Sequence, residues 1–340
     1  MICFRVDANN TIGMGHLMRC LTVAKAFLKS GKEVLFVCAD RKAGEFLDEK
    51  NMKNIVLNTD YRLISSETDI LSEIIEQYGV DLLIVDSYYA DNSFYSSVKR
   101  LAKLCIIEDE LTECSEPDVI INYNIYAKSL GCEEQYKNAL LLLGGEYAPL
   151  REEFATSDIV INDVARRVLI TTGGADMYNL SSKLVTELVK DEALSDIRYV
   201  VVSGKFNEYI DNLRTIEKQY PNVEVHENVT DMAKLMSKVD VAITSGGSTL
   251  SEVMCMGIPT IAFSFVDNQK LQVKTAYDEG YVFYATDYDS DVSMLVNIKN
   301  KLKYLIGNNE LRKEYSKAAM MAVSKDGAEK IVRKISENVW

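Results

Sequence analysis

With 340 residues, 47% of them hydrophobic and 26% charged, the chain has the length of two globular domains, each able to bury its own core. Its 51 acidic against 38 basic residues give a net charge of −13, which argues against nucleic acid or an anionic membrane surface as partner and favours a small soluble substrate. No apolar run reaches membrane-spanning length, the start MICFRVD lacks a signal-peptide pattern, and seven scattered cysteines form no CxxC, so the expectation is a cytoplasmic chain with reduced thiols and neither disulfide framework nor zinc site.

Short β-rich runs alternate with helical patterns from end to end, the pattern of α/β layers around parallel sheets. A first series predicts strands at 2–6, 33–38, 54–58, 81–86, 104–109, 118–122 and 139–144, with intervening helices such as 66–78 and 92–103. Residues 147–165 hold Pro149 and a polar stretch, which places the domains at 1–155 and 156–340. A second series predicts strands at 167–172, 197–203, 223–227, 239–245, 259–265 and 281–286, with helices near 179–190, 206–219, 248–256 and 268–279. The end of the chain is helical by composition, and one helix there can pack back across the first domain. The expected fold class is α/β, two Rossmann-like domains with a cleft between them, and open α/β sheets bind ligands at the carboxyl ends of their strands.

The first such turn reads IGMGHLMRC, residues 12–20, and opens a helix whose Leu17, Leu21, Ala24 and Leu28 share a face. His16 falls in its first turn, at the positive end of the helix dipole, which favours a neutral ring able to accept a proton. Gly13 and Gly15 permit close backbone approach to a ligand. Cys20 lies one helical turn after His16, but no third member completes a nucleophilic triad, and it reads better as a buried thiol. The analogous turn VDSYY, 85–89, offers Asp86 and Tyr88 as polar groups.

In the second half, AITSGGSTLSEVMCMGIPTIAF, 242–263, ends a strand at Ser245, turns through Gly246-Gly247 and opens a helix at Ser248-Thr249, whose N–H groups can cradle a diphosphate. No GK[ST] follows, so it is not a Walker A loop. Glu252, one turn in, can accept hydrogen bonds from ribose hydroxyls or be an ordinary helix carboxylate. The second glycine turn, ITTGGADMYN at 170–179, offers Gly174 and Asn179, and VDNQ at 266–269 places Asn268 and Gln269 at a helix start. DYDSD, 287–291, reads as a solvated turn rather than a metal site, and His226 as a structural residue within a strand.

Taken together, RVDANNTIGMGHLMRCLTVA, LGGEYAPLREEF, TTGGADMYN and SGGSTLSEVMCMGIPTIAFSFVDNQ resemble the UDP-2,4-diacetamido-2,4,6-trideoxy-β-L-altropyranose hydrolases of pseudaminic acid biosynthesis. Several blocks are also similar to spore-coat polysaccharide proteins, and the GG[ST] block to UDP-GlcNAc-using glycosyltransferases of the glycosyltransferase-B fold. The resemblance implies UDP held mainly by the second domain, His16 as general base, Arg151 and Asn268 in contact with substrate, and Tyr88 lining the sugar site. It also implies an inverting reaction with no cofactor and no metal. The chain departs from the family at Ser87, where His is frequent, and at Glu108-Asp109-Glu110, which replaces a DDL-like run. The alternatives are a glycosyltransferase or 2-epimerase using the same nucleotide site, or a non-catalytic nucleotide-sugar binding protein.

Overall fold

The computed structural model describes the chain apart from residues 10, 11, 115, 157, 158, 175, 177, 205, 206, 289 and 290, and apart from the side chains of Asn268, Ala285, Asp291 and Val292. It divides into two compact units, Met1–Leu150 together with Asp326–Trp340, and Arg151–Lys325.

The first unit is built on seven parallel strands: β1 Ile2–Val6, β2 Val34–Cys38, β3 Asn54–Val56, β4 Leu82–Asp86, β5 Lys103–Ile107, β6 Val119–Asn122 and β7 Leu140–Leu143. They lie in the order β3-β2-β1-β4-β5-β6-β7. β1, β2 and β4 are buried along their whole length, as a parallel sheet covered on both faces requires. Register sets Phe4 beside Phe36 and Ile84 on one face, where the Phe4 and Phe36 rings stack at 5.0 Å. Cys3, Leu35 and Leu83 turn to the other face, toward Leu71, Ile75, Phe94 and Val98 of the helices Thr68–Tyr78 and Asn92–Lys99.

The first face is covered by the helix Gly15–Lys29 and by the last helix of the chain, Gly327–Asn338, which pack on one another. Ala328, Ile331, Val332 and Ile335 follow helical spacing and all enter this core. Close approach demands the glycine at the start of that helix, since a Cβ on Gly327 would stand 2.2 Å from the Ala148 carbonyl oxygen. The division falls after Leu150 rather than between 155 and 156, and the terminal helix returns to the first unit, as the sequence allowed for one of the last helices, because its apolar stripe completes that core.

The second unit has six parallel strands, β8 Arg167–Thr171, β9 Arg198–Ser203, β10 Val223–Glu227, β11 Val241–Ser245, β12 Thr260–Ser264 and β13 Tyr284–Asp287, in the order β10-β9-β8-β11-β12-β13. Val168, Ile170, Tyr199, Ile243 and Phe263 meet Leu184, Leu188, Met294, Ile298 and Leu302 on one face. The helices Ser248–Met256 and Asn309–Ala322 pack together. Arg312 is 1% exposed, and its guanidinium donates to the carbonyls of Leu305, Ile306, Asn162 and Asp163.

Each sheet reverses its strand order once, between β1 and β4 in the first unit and between β8 and β11 in the second. Loops on the two sides of such a switch point run to opposite faces and leave a crevice at the carboxyl ends of the strands. His16 follows β1 and Asp86 ends β4; Gly173 follows β8 and Gly246 follows β11. Among the described residues no helix is long and apolar enough to cross a membrane.

Candidate active site

In the first unit the chain leaves β1 through Asp7, turns at Gly13, whose φ of +80° suits glycine, and enters the helix Gly15–Lys29. At Gly15 neither positive φ nor packing requires glycine: a Cβ there would meet no atom within 4 Å. His16, 8% exposed, directs Nδ1 at Asp86 Oδ1, 2.6 Å away. Three residues on, Arg19 lies on the same helix face and donates Nε to Asp86 Oδ2 and Nη2 to Oδ1, both at 2.6 Å.

Burial opposes a charge on Asp86, but the Arg19 guanidinium and then His16 outweigh it and hold the carboxyl well below its ordinary range. An ionised carboxylate only accepts, so Nδ1–H is the donor to Asp86, and in the neutral ring this tautomer places the lone pair on Nε2. Nη2 of Arg19, 3.1 Å from Nδ1, is then a close neighbour rather than a donor to the ring.

The second half of the Arg19 fork reaches Asp109 at 2.9 and 3.1 Å and the Tyr123 hydroxyl at 2.9 Å. Asp109 accepts from the Tyr88 hydroxyl at 2.6 Å, and the enclosure of the hydroxyl end, together with that carboxylate, pushes the phenol upward although the residue as a whole is largely exposed. The Tyr88 ring, 61% exposed, stands edge-on to His16 with centroids 4.6 Å apart. Asp7, Ile12, His16, Asp86, Ser87, Tyr88 and Tyr89 line a cavity of about 10 Å³, room for about one water. Behind it, Arg5 is wholly buried in β1, bonded to Glu67 at 2.6 and 2.9 Å and to Asp7 at 2.6 Å, while Asp7 accepts from the Ala39 amide.

Sequence reading singled out His16, Asp86 and Tyr88, and the fold brings all three together. It missed Arg19, Asp109, Asp7 and Arg5, although charged residues inside or at the end of fully apolar strands were a signal that buried ion pairs await. Cys20 forms no pair with His16. Its thiol donates to Asp86 Oδ2 at 3.4 Å, and burial and then Asp86 push it well above the ordinary thiol range.

In the second unit β11 ends at Ser245, and the Gly246 amide donates to the Phe263 carbonyl at 3.0 Å. A Cβ on Gly246 would lie 2.5 Å from Val273 and 3.1 Å from Gln269 Cβ. The glycine therefore serves the close approach of the helix Asp267–Asp278, not a tight turn as expected. Ser248 and Thr249 begin the helix Ser248–Met256, and Gly247 caps it without any side chain, which leaves the first N–H groups uncapped by the chain's own side chains.

Gly173 adopts a φ of +87° beside Ser245, and the backbone of Gly174 abuts Gly204 so closely that a Cβ on Gly204 would sit 2.5 Å from its Cα. Asn179 is left-handed, with φ +55°, and its Oδ1 is buried with no partner among the described residues. The capping of the helix Leu180–Val189 falls to Asp176, which accepts from the amides of Leu180 and Ser181. Gln269 reaches the glycine turn, and its Oε1 is likewise buried without a described partner. The side chain of Asn268 lies outside the described residues.

Arg151 and Glu252, expected as separate ligand contacts, are joined to one another: Arg151 Nη2 donates to Glu252 Oε1 at 3.0 Å, and Nη1 lies 3.1 Å from Glu153. Burial pushes the Glu252 carboxyl up, against the pull of Arg151. Of DYDSD, residues 289 and 290 lie outside the described residues, and Asp287 accepts from the Ser264 hydroxyl. His226 stands on β10 near Glu224. Among the described residues no group of three or more His, Cys, Asp or Glu is placed to hold a metal ion.

Residues 167–334 match the model of the glycosyltransferase family 28 C-terminal domain. The chain is 26% identical over 283 residues to the UDP-2,4-diacetamido-2,4,6-trideoxy-beta-L-altropyranose hydrolase of Campylobacter jejuni, covering 82% of this chain and 97% of that one. It is 27% identical over 279 residues to the spore coat polysaccharide biosynthesis protein SpsG of Bacillus subtilis, covering 81% and 80%. A Methanocaldococcus jannaschii protein is 27% identical over 274 residues, 76% of this chain, which spans about half of that protein's length, 54%. Among solved structures, MurG of Acinetobacter baumannii superposes with a TM-score of 0.72 at 17% identity over 99% of both chains. UDP-GlcNAc 2-epimerase from Neisseria meningitidis, solved bound to UDP-GlcNAc, does so with 0.66 at 14% identity, over 99% of this chain and 100% of that one. The chain thus has the glycosyltransferase-B fold, two parallel α/β sheets, and its second half is similar to the C-terminal domain of glycosyltransferase family 28.

Proposed function

We propose that the chain is a nucleotide-sugar hydrolase that releases UDP from the anomeric carbon of a UDP-2,4-diacetamido-2,4,6-trideoxy hexose, with inversion, in the synthesis of a nonulosonate of the pseudaminic acid type. In this reading the first unit carries the base and the second holds UDP. The observation that carries it is the His16–Asp86 pair at a sheet switch point, with Nδ1 bound to the carboxylate at 2.6 Å and space for about one water beside the ring.

Nε2 accepts a proton from water as the water oxygen bonds to the anomeric carbon. The bond from that carbon to the diphosphate oxygen breaks, and its electron pair leaves with UDP. Asp86 holds the tautomer and steadies the imidazolium that forms, the role of the third member in a triad. Amides at the start of the helix Ser248–Met256 and its dipole offset the negative charge gathering on the diphosphate. A Cβ on Gly15 would meet no described atom within 4 Å, so the space beside the backbone next to His16 is open among the described residues.

His16→Asn tests the reading. The rate of UDP release is expected to fall by at least about 10²-fold while UDP affinity is kept, since the lost group acts on water and not on UDP. Near-parent single-turnover hydrolysis by this variant sinks it. Because base and cradle are an imidazole and backbone amides, turnover is also expected to persist in EDTA; loss in chelator restored by Mg²⁺ would show a different mechanism.

The match of residues 167–334 to a glycosyltransferase family domain favours, as a second reading, a transferase using the same nucleotide site. UDP release from the nucleotide sugar without an acceptor separates the two.

A further inference from the structure

The carboxyl edge of the second sheet carries an aromatic group at the margin of its core, against which Phe265 and Tyr288 pack. Tyr178 follows β8, Phe265 follows β12 and Tyr288 follows β13. The Tyr178 ring stacks on Tyr288 at 4.9 Å and 25°, and meets Phe265 edge-on at 6.2 Å. Phe263, one pleat earlier, is wholly buried, whereas Tyr178 is 39% exposed and Phe265 and Tyr288 are half-buried. The three rings therefore form a rim above the core, with apolar surface left accessible to water.

That rim and the Ser245–Gly247 turn lie at the same carboxyl edge of the sheet. Phe265 lies two residues after Phe263, whose carbonyl accepts from the Gly246 amide, and four before Gln269, whose side chain packs at Gly246. Gly173, five residues before Tyr178, faces Ser245 from the other side. A diphosphate on the amides of Ser248 and Thr249 would put its sugar within reach of the rings.

We propose that Tyr178, Phe265 and Tyr288 form an apolar wall for the sugar of the nucleotide sugar and select deoxygenated, N-acylated hexoses over fully hydroxylated ones. The proposal rests on the nucleotide-sugar reading above. Ring faces cannot hydrogen-bond a hydroxyl in the sugar plane, so a hydroxyl turned toward them loses its water partners. A methyl group in the same place, at C6 of a deoxy sugar or at the end of an acetamido group, leaves water and gains about fourfold in affinity. With more than one methyl against the wall, the preference over a hydroxylated sugar reaches about tenfold or more.

The test is calorimetry on the full chain with three probes: UDP, UDP-glucose and a UDP-2,4-diacetamido-2,4,6-trideoxyhexose. Tyr178→Ala is expected to keep UDP affinity within about twofold and to reduce the preference for the diacetamido sugar over UDP-glucose by about tenfold. Tyr178→Phe is expected to keep the preference, because the ring face and not the hydroxyl makes the wall. Phe265→Leu, which removes the ring but keeps an apolar side chain against the core, serves where Tyr178→Ala does not fold. A folded, UDP-binding Tyr178→Ala or Phe265→Leu chain with unchanged preference overturns the proposal, as does a parent chain that binds UDP without preference. A parent that binds no UDP overturns the nucleotide-sugar reading and the wall with it.

Discussion

Asp86 decides what His16 can do. The carboxylate accepts a hydrogen bond from Nδ1–H and so leaves Nε2 as the acceptor of the neutral ring, whereas an amide in its place can donate to Nδ1 and reverse the tautomer. Asp86→Asn is therefore expected to lower the rate of UDP release by at least about 10²-fold with the backbone fold and UDP affinity retained. Single-turnover kinetics beside UDP calorimetry measures both, and a rate within a few-fold of the parent would reduce Asp86 to a packing partner. Glu252 makes a contrasting case. It is buried against Arg151, so Glu252→Ala leaves that guanidinium with Glu153 and the face of the Phe154 ring.

At the scale of one element, the helix Gly15–Lys29 holds its first turns to the sheet by charge as well as by apolar packing. Arg19 ties Asp86 at the end of β4 to Asp109 beyond β5, and all three are largely buried. Removing one partner of a buried pair costs about 3–5 kcal/mol because the other charge is left uncompensated. Arg19→Met is expected to destabilise the first unit by that order. The sign of the pH dependence follows from Asp86: its folded pKa lies below the unfolded value, so its contribution is present above the ordinary carboxylate range, about pH 4, and is lost as pH falls toward the folded value. In Arg19→Met the carboxyl no longer gains from the guanidinium, so the deficit against the parent is largest near neutral pH and shrinks in acid. Thermal melts of both chains from pH 7 down to 3 check this; a deficit that grows in acid would refute it.

For the whole molecule, the return of the last helix to the first unit makes the extreme end of the chain part of the fold of its beginning. Ile331, Val332 and Ile335 are nearly or wholly buried there, and side chains of this kind contribute about 1.5–3 kcal/mol each on burial. A chain ending at Lys325 is expected to lose most of the stability of the first unit, by about 5 kcal/mol or more, while the second unit keeps its melting transition. Calorimetric scans of the truncated and full chains decide it. An unchanged melting profile would mean that the helix only decorates the surface.

The thirteen strands among the described residues and their order along the chain were legible in the sequence, each within a few residues, because apolar runs such as EVLFVC, DLLIVD and VDVAITS satisfy a sheet buried on both faces in almost any context. The starts of the helices Gly15–Lys29 and Ser248–Met256 were legible too, since glycine, polar residue and apolar periodicity act locally. Partners far apart in sequence were not. That His16 meets Asp86, 70 residues away, follows from β4 lying beside β1, and that Arg151 pairs with Glu252, 101 residues away, from the packing of one loop on one helix. Gly246 shows the limit most plainly: its residue type was read correctly as a constraint, but the constraint is the nearness of Val273 and Gln269, not the shape of its own turn. Local backbone preference and burial period are properties of short segments, and so are written in them. The pairing of charges is set by which surfaces remain uncovered once the sheets have formed, and only the tertiary structure decides that.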